Sequence, residues 1–224
     1  MEALTVLFSN VDWFEIWVAT CDTLVMLGVS LFFTVLIGLP LGVLLFLTSP
    51  RQLLEQKQVY SAVALVVNLL RALPFIILLI VMIPLTQLIT GTSLGVAGTI
   101  PPLVAGAAPF FARLVETALR EVDRGIIEAT QAMGATTRQI ITNALLPEAK
   151  PGIIAAITVT SIALVSYTAI AGVVGAGGLG DLAIRYGYQR FQNDVMFVTV
   201  ILLLVLVHVL QSVGDRMVIR VSHK

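Results

Sequence analysis

One cysteine, Cys21, in 224 residues excludes an internal disulfide and any metal site built from several thiolates. Histidine is almost as scarce: His208 and His223 form no His-Glu-x-x-His pair, so a membrane metalloprotease would lack its zinc ligands. No Gly-x-x-x-x-Gly-Lys-Ser/Thr loop occurs, nor even a Gly-Lys pair, so the chain has no phosphate loop with which to cradle a nucleotide. Charge is sparse as well. Asp, Glu, Lys and Arg make up 12% of the chain against 58% hydrophobic residues, and the mean hydropathy of +1.01 lies outside the range of soluble domains. What remains is an all-α integral membrane protein whose energy comes from a partner or an ion gradient.

Uncharged runs cover residues 23–50, 72–112, 151–180 and 195–214. A helix needs roughly 20 residues to cross the hydrocarbon core. The second run is long enough for two crossings and is interrupted at residues 90–102 (TGTSLGVAGTIPP), where Gly, Thr, Ser and paired prolines predict a surface loop. Five transmembrane helices are therefore expected, at about 20–47, 59–89, 97–119, 151–175 and 194–216. The first is not expected to be a signal peptide, because Glu2, Asp12, Glu15 and Asp22 precede it without a single Lys or Arg. Pro74 and Pro84 should kink the second span.

The net charge of zero conceals a strong asymmetry. With the N-terminus outside, the inner loops and tail collect Arg51, Lys57, Arg120, Arg124, Arg138, Lys150, Arg216, Arg220 and Lys224, while the outer segments hold only Arg185 and Arg190. Short cytoplasmic loops accumulate Lys and Arg, so the expected topology is N-out, C-in. The partner this implies is the lipid bilayer, not nucleic acid.

On that topology the longest cytoplasmic segment, about 121–150, belongs to a single transmembrane domain spanning 1–224 and has the pattern of two short helices. Asp123 can cap the first, which runs through Ile126, Ile127, Ala129 and Met133 until Gly134 permits a left-handed turn. Thr136 can cap the second, with Gln139 completing a capping box, and Pro147 and Pro151 are expected to stop it. A short helix with a partly apolar face suits docking into a groove on a soluble partner; lying flat on the lipid headgroups is the simpler alternative.

Within the spans, Arg71 is a charge that needs a counterpart or water, and Glu116 is the expected partner, with a substrate-carboxylate or coupling role as the alternative. Ser166, Tyr167 and Thr168 interrupt the apolar run of the fourth span, either lining a pathway or gate or bonding between helices. Gly38, Gly42, Gly106 and Gly172 permit close helix approach, whether at a gate or in ordinary packing. His208 is expected to be a packing residue. Two motif matches are discarded: 175–180 fits Gly-x-Gly-x-x-Gly but follows a span and opens no βαβ unit, so it is an external turn; 91–95 fits Gly-x-Ser-x-Gly but has no preceding strand.

Glu128, Ala129, Gly134, Leu146 and Pro147 stand in the spacing of the EAA signature, and here the chain resembles the integral permeases of ATP-binding-cassette (ABC) importers. Thr130 and Ala144 depart from the usual Ala and Ile but remain small or apolar. Further stretches, LLRALPFIILLIVMIP (69–84), GAAPFFARLVETAL (106–119), LLPEAKPG (145–152) and VVGAGGLGDLAIRYGY (173–188), extend the resemblance over nearly the whole chain and bring it nearest to the methionine-uptake permeases. The resemblance implies a type I importer permease fold in a bacterial inner membrane and a coupling helix around Glu128–Gly134. It also implies a second copy of the chain, two ABC ATPase subunits that bind the ATP and Mg, and an extracytoplasmic methionine-binding protein. No cofactor is expected in this chain and no bond chemistry. Methionine is the expected cargo, with another amino acid or a small organic anion as alternative. A five-span ion-coupled carrier, the rival from a different class, would need acidic or unwound polar elements at the midplane.

Overall fold

The structure is a computed structural model in which residues 10–222 are described, so Glu2, His223 and Lys224 lie outside the described residues. Helices account for every regular element among the described residues. The first, α1 (Trp13–Thr48), starts where Asp12 Oδ1 accepts the backbone N–H groups of Phe14 (2.9 Å) and Glu15 (3.3 Å), satisfying donors that a helix start leaves orphaned. Its 36 residues extend about 54 Å, well beyond the roughly 30 Å hydrocarbon core. Trp13, Phe14 and Trp17 are exposed at its start, where aromatic rings anchor spans at the headgroup level.

The expected second span is broken. It divides into α2 (Lys57–Ala72), α3 (Phe75–Val81) and α4 (Ile83–Thr90), and α2 and α3 are bent by 104°. Pro74 caps α3 without an N–H to donate, and a residue before proline is pushed out of the helical region, so Leu73 cannot continue α2. Pro84 sits in the first turn of α4, where a missing N–H costs nothing. The prolines thus interrupt the helix where a kink was expected. By length and composition the described residues hold four spans, Trp13–Thr48, Gly95–Arg120, Lys150–Gly172 and Asn193–Val221, or five if the bent pair counts as one.

The predicted loop at 90–102 shrinks to the turn between α4 and α5 (Gly95–Arg120), with Gly91 and Gly95 at positive φ. Beyond it come α6 (Arg124–Ala132), α7 (Thr137–Gln139), a π-helical turn at Ile140–Leu145, α8 (Leu146–Glu148) and α9 (Lys150–Gly172). Here Pro147 and Pro151 do not stop a helix. Each occupies the first turn of a new segment, and the wide π turn lets the Leu146 N–H reach the Ile141 carbonyl. Of the external turn expected at 175–180 only 175–177 is non-helical, because Gly178–Gly180 are buried at the start of α10 (Gly178–Leu182); a second π turn follows at Ala183–Tyr188, and α11 (Asn193–Val221) is the last helix of the described residues.

Packing sorts these elements into two compact units. Among the described residues, one comprises the chain up to Phe33, Leu73–Gly106 and Ser161–Leu210; the other comprises Thr34–Ala72, Ala107–Thr160 and the chain from Gln211. In the first, Val11, Ile16 and Ala19 are buried with Leu179, Leu182 and Val195, and the Thr23 hydroxyl accepts the Leu179 N–H at 2.9 Å. The second holds the larger apolar cluster, in which Phe46, Phe111, Val115 and Leu119 meet Ile127, Ile140 and Leu145.

Two glycines hold α1 against α5 in the second unit. A Cβ on Gly38 would lie 2.9 Å from the Ala108 carbonyl oxygen, and one on Gly42 would lie 2.6 Å from both the Ala112 carbonyl oxygen and Val115 Cβ. Backbone cannot yield as a flexible side chain can. We therefore expect Gly42→Ala to cost about 1–3 kcal/mol through overpacking, seen as a lower unfolding midpoint in detergent. Gly28→Ala on the same helix, where an added Cβ meets nothing within 4 Å, should instead gain up to about 1 kcal/mol from helix propensity.

Candidate functional site: an anchored coupling segment

The segment at 121–150 forms two helical pieces with the expected caps. Asp123 Oδ1 accepts the Gly125 N–H at 2.6 Å to start α6. At its other end the Met133 N–H reaches the Ala129 carbonyl (3.1 Å), and Gly134 turns the chain with φ 79°. Thr136 and Gln139 complete the capping box: Thr136 Oγ1 accepts the Gln139 N–H, and Gln139 Oε1 accepts the Thr136 N–H at 2.9 Å. Local hydrogen bonds thus set the shape of the turn, as the residue pattern predicted.

Burial gives the segment two faces. Ile127, Ile140 and Leu145 point into the cluster with Phe111 and Leu119, while Glu128, Ala129, Gln131, Ala132, Met133 and Gly134 are exposed. Met133, 78% exposed, is a large apolar side chain left uncovered beside the turn. It joins Thr130, Gly134, Gln139 and Asn143 in lining an open concavity of about 400 Å³. Thr130, where the signature has Ala, turns its hydroxyl onto the Ile126 (2.9 Å) and Ile127 (2.8 Å) carbonyls, so the departure is absorbed within the helix. Leu146 packs part-buried against the cluster, and Pro147 is exposed.

The expected Arg71–Glu116 pair does not form. Glu116 is only 3% exposed and takes its charge balance from its own helix: Arg113 Nη1 donates to Oε2 and Arg120 Nη2 to Oε1, both at 2.6 Å. Tyr60 Oη approaches Oε1 at 3.4 Å, and Arg113 also donates to Asn68 Oδ1 at 3.0 Å. Spacings of three and four residues put both arginines on the carboxylate's side of α5, a signal already present in the sequence, whereas Arg71 required a match between helices. Arg71 is exposed in the last turn of α2.

Ser166, Tyr167 and Thr168 part company. The Thr168 hydroxyl is buried and donates to the Val165 carbonyl at 2.8 Å, and Ser166 is exposed. Tyr167 lies flat on Phe75, with ring centroids 4.5 Å apart and planes 7° apart. Gly106 leaves room beside them, since its Cβ would come within 3.4 Å of Phe75. Phe75 was not foreseen as part of this site. Its place depends on the break at Pro74, which starts a new helix at that ring.

Deleting the Glu116 carboxylate would leave two close guanidinium groups unbalanced. We expect Glu116→Ala to destabilise the chain by about 2–4 kcal/mol, less than the loss of a fully buried partner because Arg120 is 43% exposed. Thermal unfolding of purified protein measures this. Arg71→Gln should leave the stability within about 0.5 kcal/mol of wild type.

With this geometry established, known proteins give consistent matches. The family described as binding-protein-dependent transport system inner membrane component matches residues 35–223. A probable D-methionine transport system permease protein of Vibrio cholerae is 50% identical over 206 residues, covering 92% of each chain. A methionine import system permease protein of Bacillus subtilis is 51% identical over 208 residues, covering 93% of this chain and 94% of the relative. Among solved structures, an inward-facing MetNI methionine ABC transporter is similar with a TM-score of 0.89 at 50% identity, covering 90% of this chain and 94% of that one. An amino acid ABC transporter with histidines, 17% identical with a TM-score of 0.75 and covering 94% of this chain and 99% of that one, shares the fold alone. The fold is that of a type I importer permease, and the chain is a multi-pass inner-membrane protein belonging to the binding-protein-dependent transport system inner membrane component family.

Proposed function

We propose that the chain is the membrane-spanning subunit of an ATP-driven methionine importer, taking either enantiomer, with its N-terminus outside and its C-terminus in the cytoplasm. Two copies pair about an axis along the membrane normal, each carrying an ABC ATPase subunit that binds ATP and Mg, and an extracytoplasmic methionine-binding protein delivers the cargo. The observation that carries this reading is the two-faced coupling segment. One side of α6 is uncovered around Met133 and Gly134, while Ile127 on the other side is buried among the ends of the spans. Movement of a docked ATPase would therefore be felt directly by α1 and α5. The identity above 50% to a methionine import permease over 93% of the chain supports the cargo.

The substrate route is assigned to the interface between the two copies, with Tyr167 as a pathway or gate residue. A flat aromatic pair offers a polarisable surface to a thioether and a hydroxyl at its edge. Arg71 is assigned to a water-accessible surface of that route, since an intramembrane arginine facing lipid is costly.

Uptake of labelled methionine into vesicles is expected to require internal ATP and to persist when ion gradients are collapsed; uptake driven by an ion gradient without ATP refutes the assignment. A Cβ on Gly134 meets no atom of this chain within 4 Å, but φ 79° strains any other residue there. Gly134→Val should therefore cost about 1–2 kcal/mol in the chain itself while projecting a branched side chain from the docking face. Copurification is expected to show loss of the ATPase subunits from folded permease; full association with full transport would contradict the docking face.

A further inference from the structure

Where α1 and α5 end, three arginines from three separate segments line one cavity of about 210 Å³. Arg51 comes from the turn after α1, Arg120 from the end of α5 and Arg124 from the start of α6. Phe46 and Leu119 lie among the apolar lining, and no carboxylate lines the cavity. A second concavity of about 270 Å³ shares Arg51 and Arg124 and reaches Glu128.

The conformation of Arg51 marks the place as built. It is one of two non-glycine residues at positive φ (64°) among the described residues, a region that L side chains enter at a cost. Two contacts hold it there: its N–H donates to Glu55 Oε2 at 2.9 Å, and its carbonyl accepts from Arg124 Nη2 at 2.9 Å. Three of the acidic groups nearby are committed elsewhere, and Glu128 lines only the second concavity. Glu55 binds that backbone N–H, Glu116 is shared by Arg113 and Arg120, and Asp123 caps α6. The Arg51 guanidinium itself has no partner among the described residues, so the residue lines the cavity with its charge unneutralised.

We propose that this cavity binds a phosphate group, supplied by the headgroup of an anionic phospholipid of the inner leaflet. Forked guanidinium donors suit phosphate oxygens, and basic pockets at the cytoplasmic ends of spans are suited to anionic headgroups. The place of the cavity favours a lipid over a free anion, because it lies where the long apolar helices α1 and α5 end, and the exposed Pro50 beside Arg51 gives glycerol or acyl carbons an apolar rim to cover. The bound headgroup would tie the turn after α1 to the first residues of the coupling segment. This placement rests on the orientation proposed above, but the test reads binding and does not depend on transport, so either can fail alone.

The experiment uses the intact transporter with its ATPase subunits, in phosphatidylcholine nanodiscs with graded phosphatidylglycerol, and measures lipid retained per complex by mass spectrometry. Arg51→Gly is the informative variant, since glycine accepts the positive φ and only the side chain is lost. Its unfolding midpoint should equal or exceed wild type, while phosphatidylglycerol affinity falls about tenfold, the loss of one charge-assisted contact. Arg124→Gln should fall similarly, and Arg190→Gln in the other unit should not change. Retention that survives excess inorganic phosphate but weakens with rising salt supports the lipid assignment. Inorganic phosphate binding with the same Arg51 dependence, without phosphatidylglycerol binding, overturns the lipid source. Unchanged retention in both arginine variants, or loss of ATPase subunits with retention unchanged, overturns the site.

Discussion

The proposed coupling role of the segment at 121–150 depends on its inner side not being free to move on its own. Ile127 from α6 and Ile140 and Leu145 from the π turn are buried in the same cluster as Phe46 of α1 and Phe111, Val115 and Leu119 of α5. Close-packed interiors transmit displacement because few voids exist to absorb it. A force applied at the exposed Met133–Gly134 end therefore reaches the spans through packed side chains, with no need for a chain of hydrogen bonds. Were Ile127 exposed like Met133, the same helix would be a tethered flap.

That cluster depends in turn on how closely α1 and α5 approach. Gly38 and Gly42 bring the two backbones to a separation at which a methyl group would strike carbonyl oxygens. In lipid, where apolar surface gains nothing by leaving one hydrocarbon for another, such backbone contact supplies the dispersion energy that holds spans together. Glu116 completes the arrangement at lower expense than a pair between helices would: its two arginines come from its own helix, so their geometry is set before any tertiary contact forms.

Much of the fold was legible because membrane solvent imposes simple rules. Four spans could be placed from apolar length, and the caps at Asp123, Gly134 and Thr136 from side-chain chemistry that operates within a few residues. Proline was misjudged in both directions for one reason: its effect depends on whether the lost N–H would have been used. At Pro74 the chain breaks through 104°, whereas at Pro147 and Pro151 the helical path carries on because each falls in a first turn. The Arg71–Glu116 expectation failed because it joined two charges across helices on the strength of scarcity alone, when residues one turn away could satisfy the carboxylate.

By itself the sequence determined the all-helical membrane class, the charge asymmetry, the local caps and the place of the capped helical segment between the third and fourth expected spans, since each rests on hydropathy or on bonds between near neighbours. Only the tertiary structure decided which face of α6 is buried, that Tyr167 lies against Phe75, that Glu116 belongs to Arg113 and Arg120, and that three arginines share one cavity. These facts join residues far apart in the chain. Helical periodicity gives each side chain a direction around its own axis, but the neighbour it meets depends on how separate helices are rotated and offset, which is settled by packing.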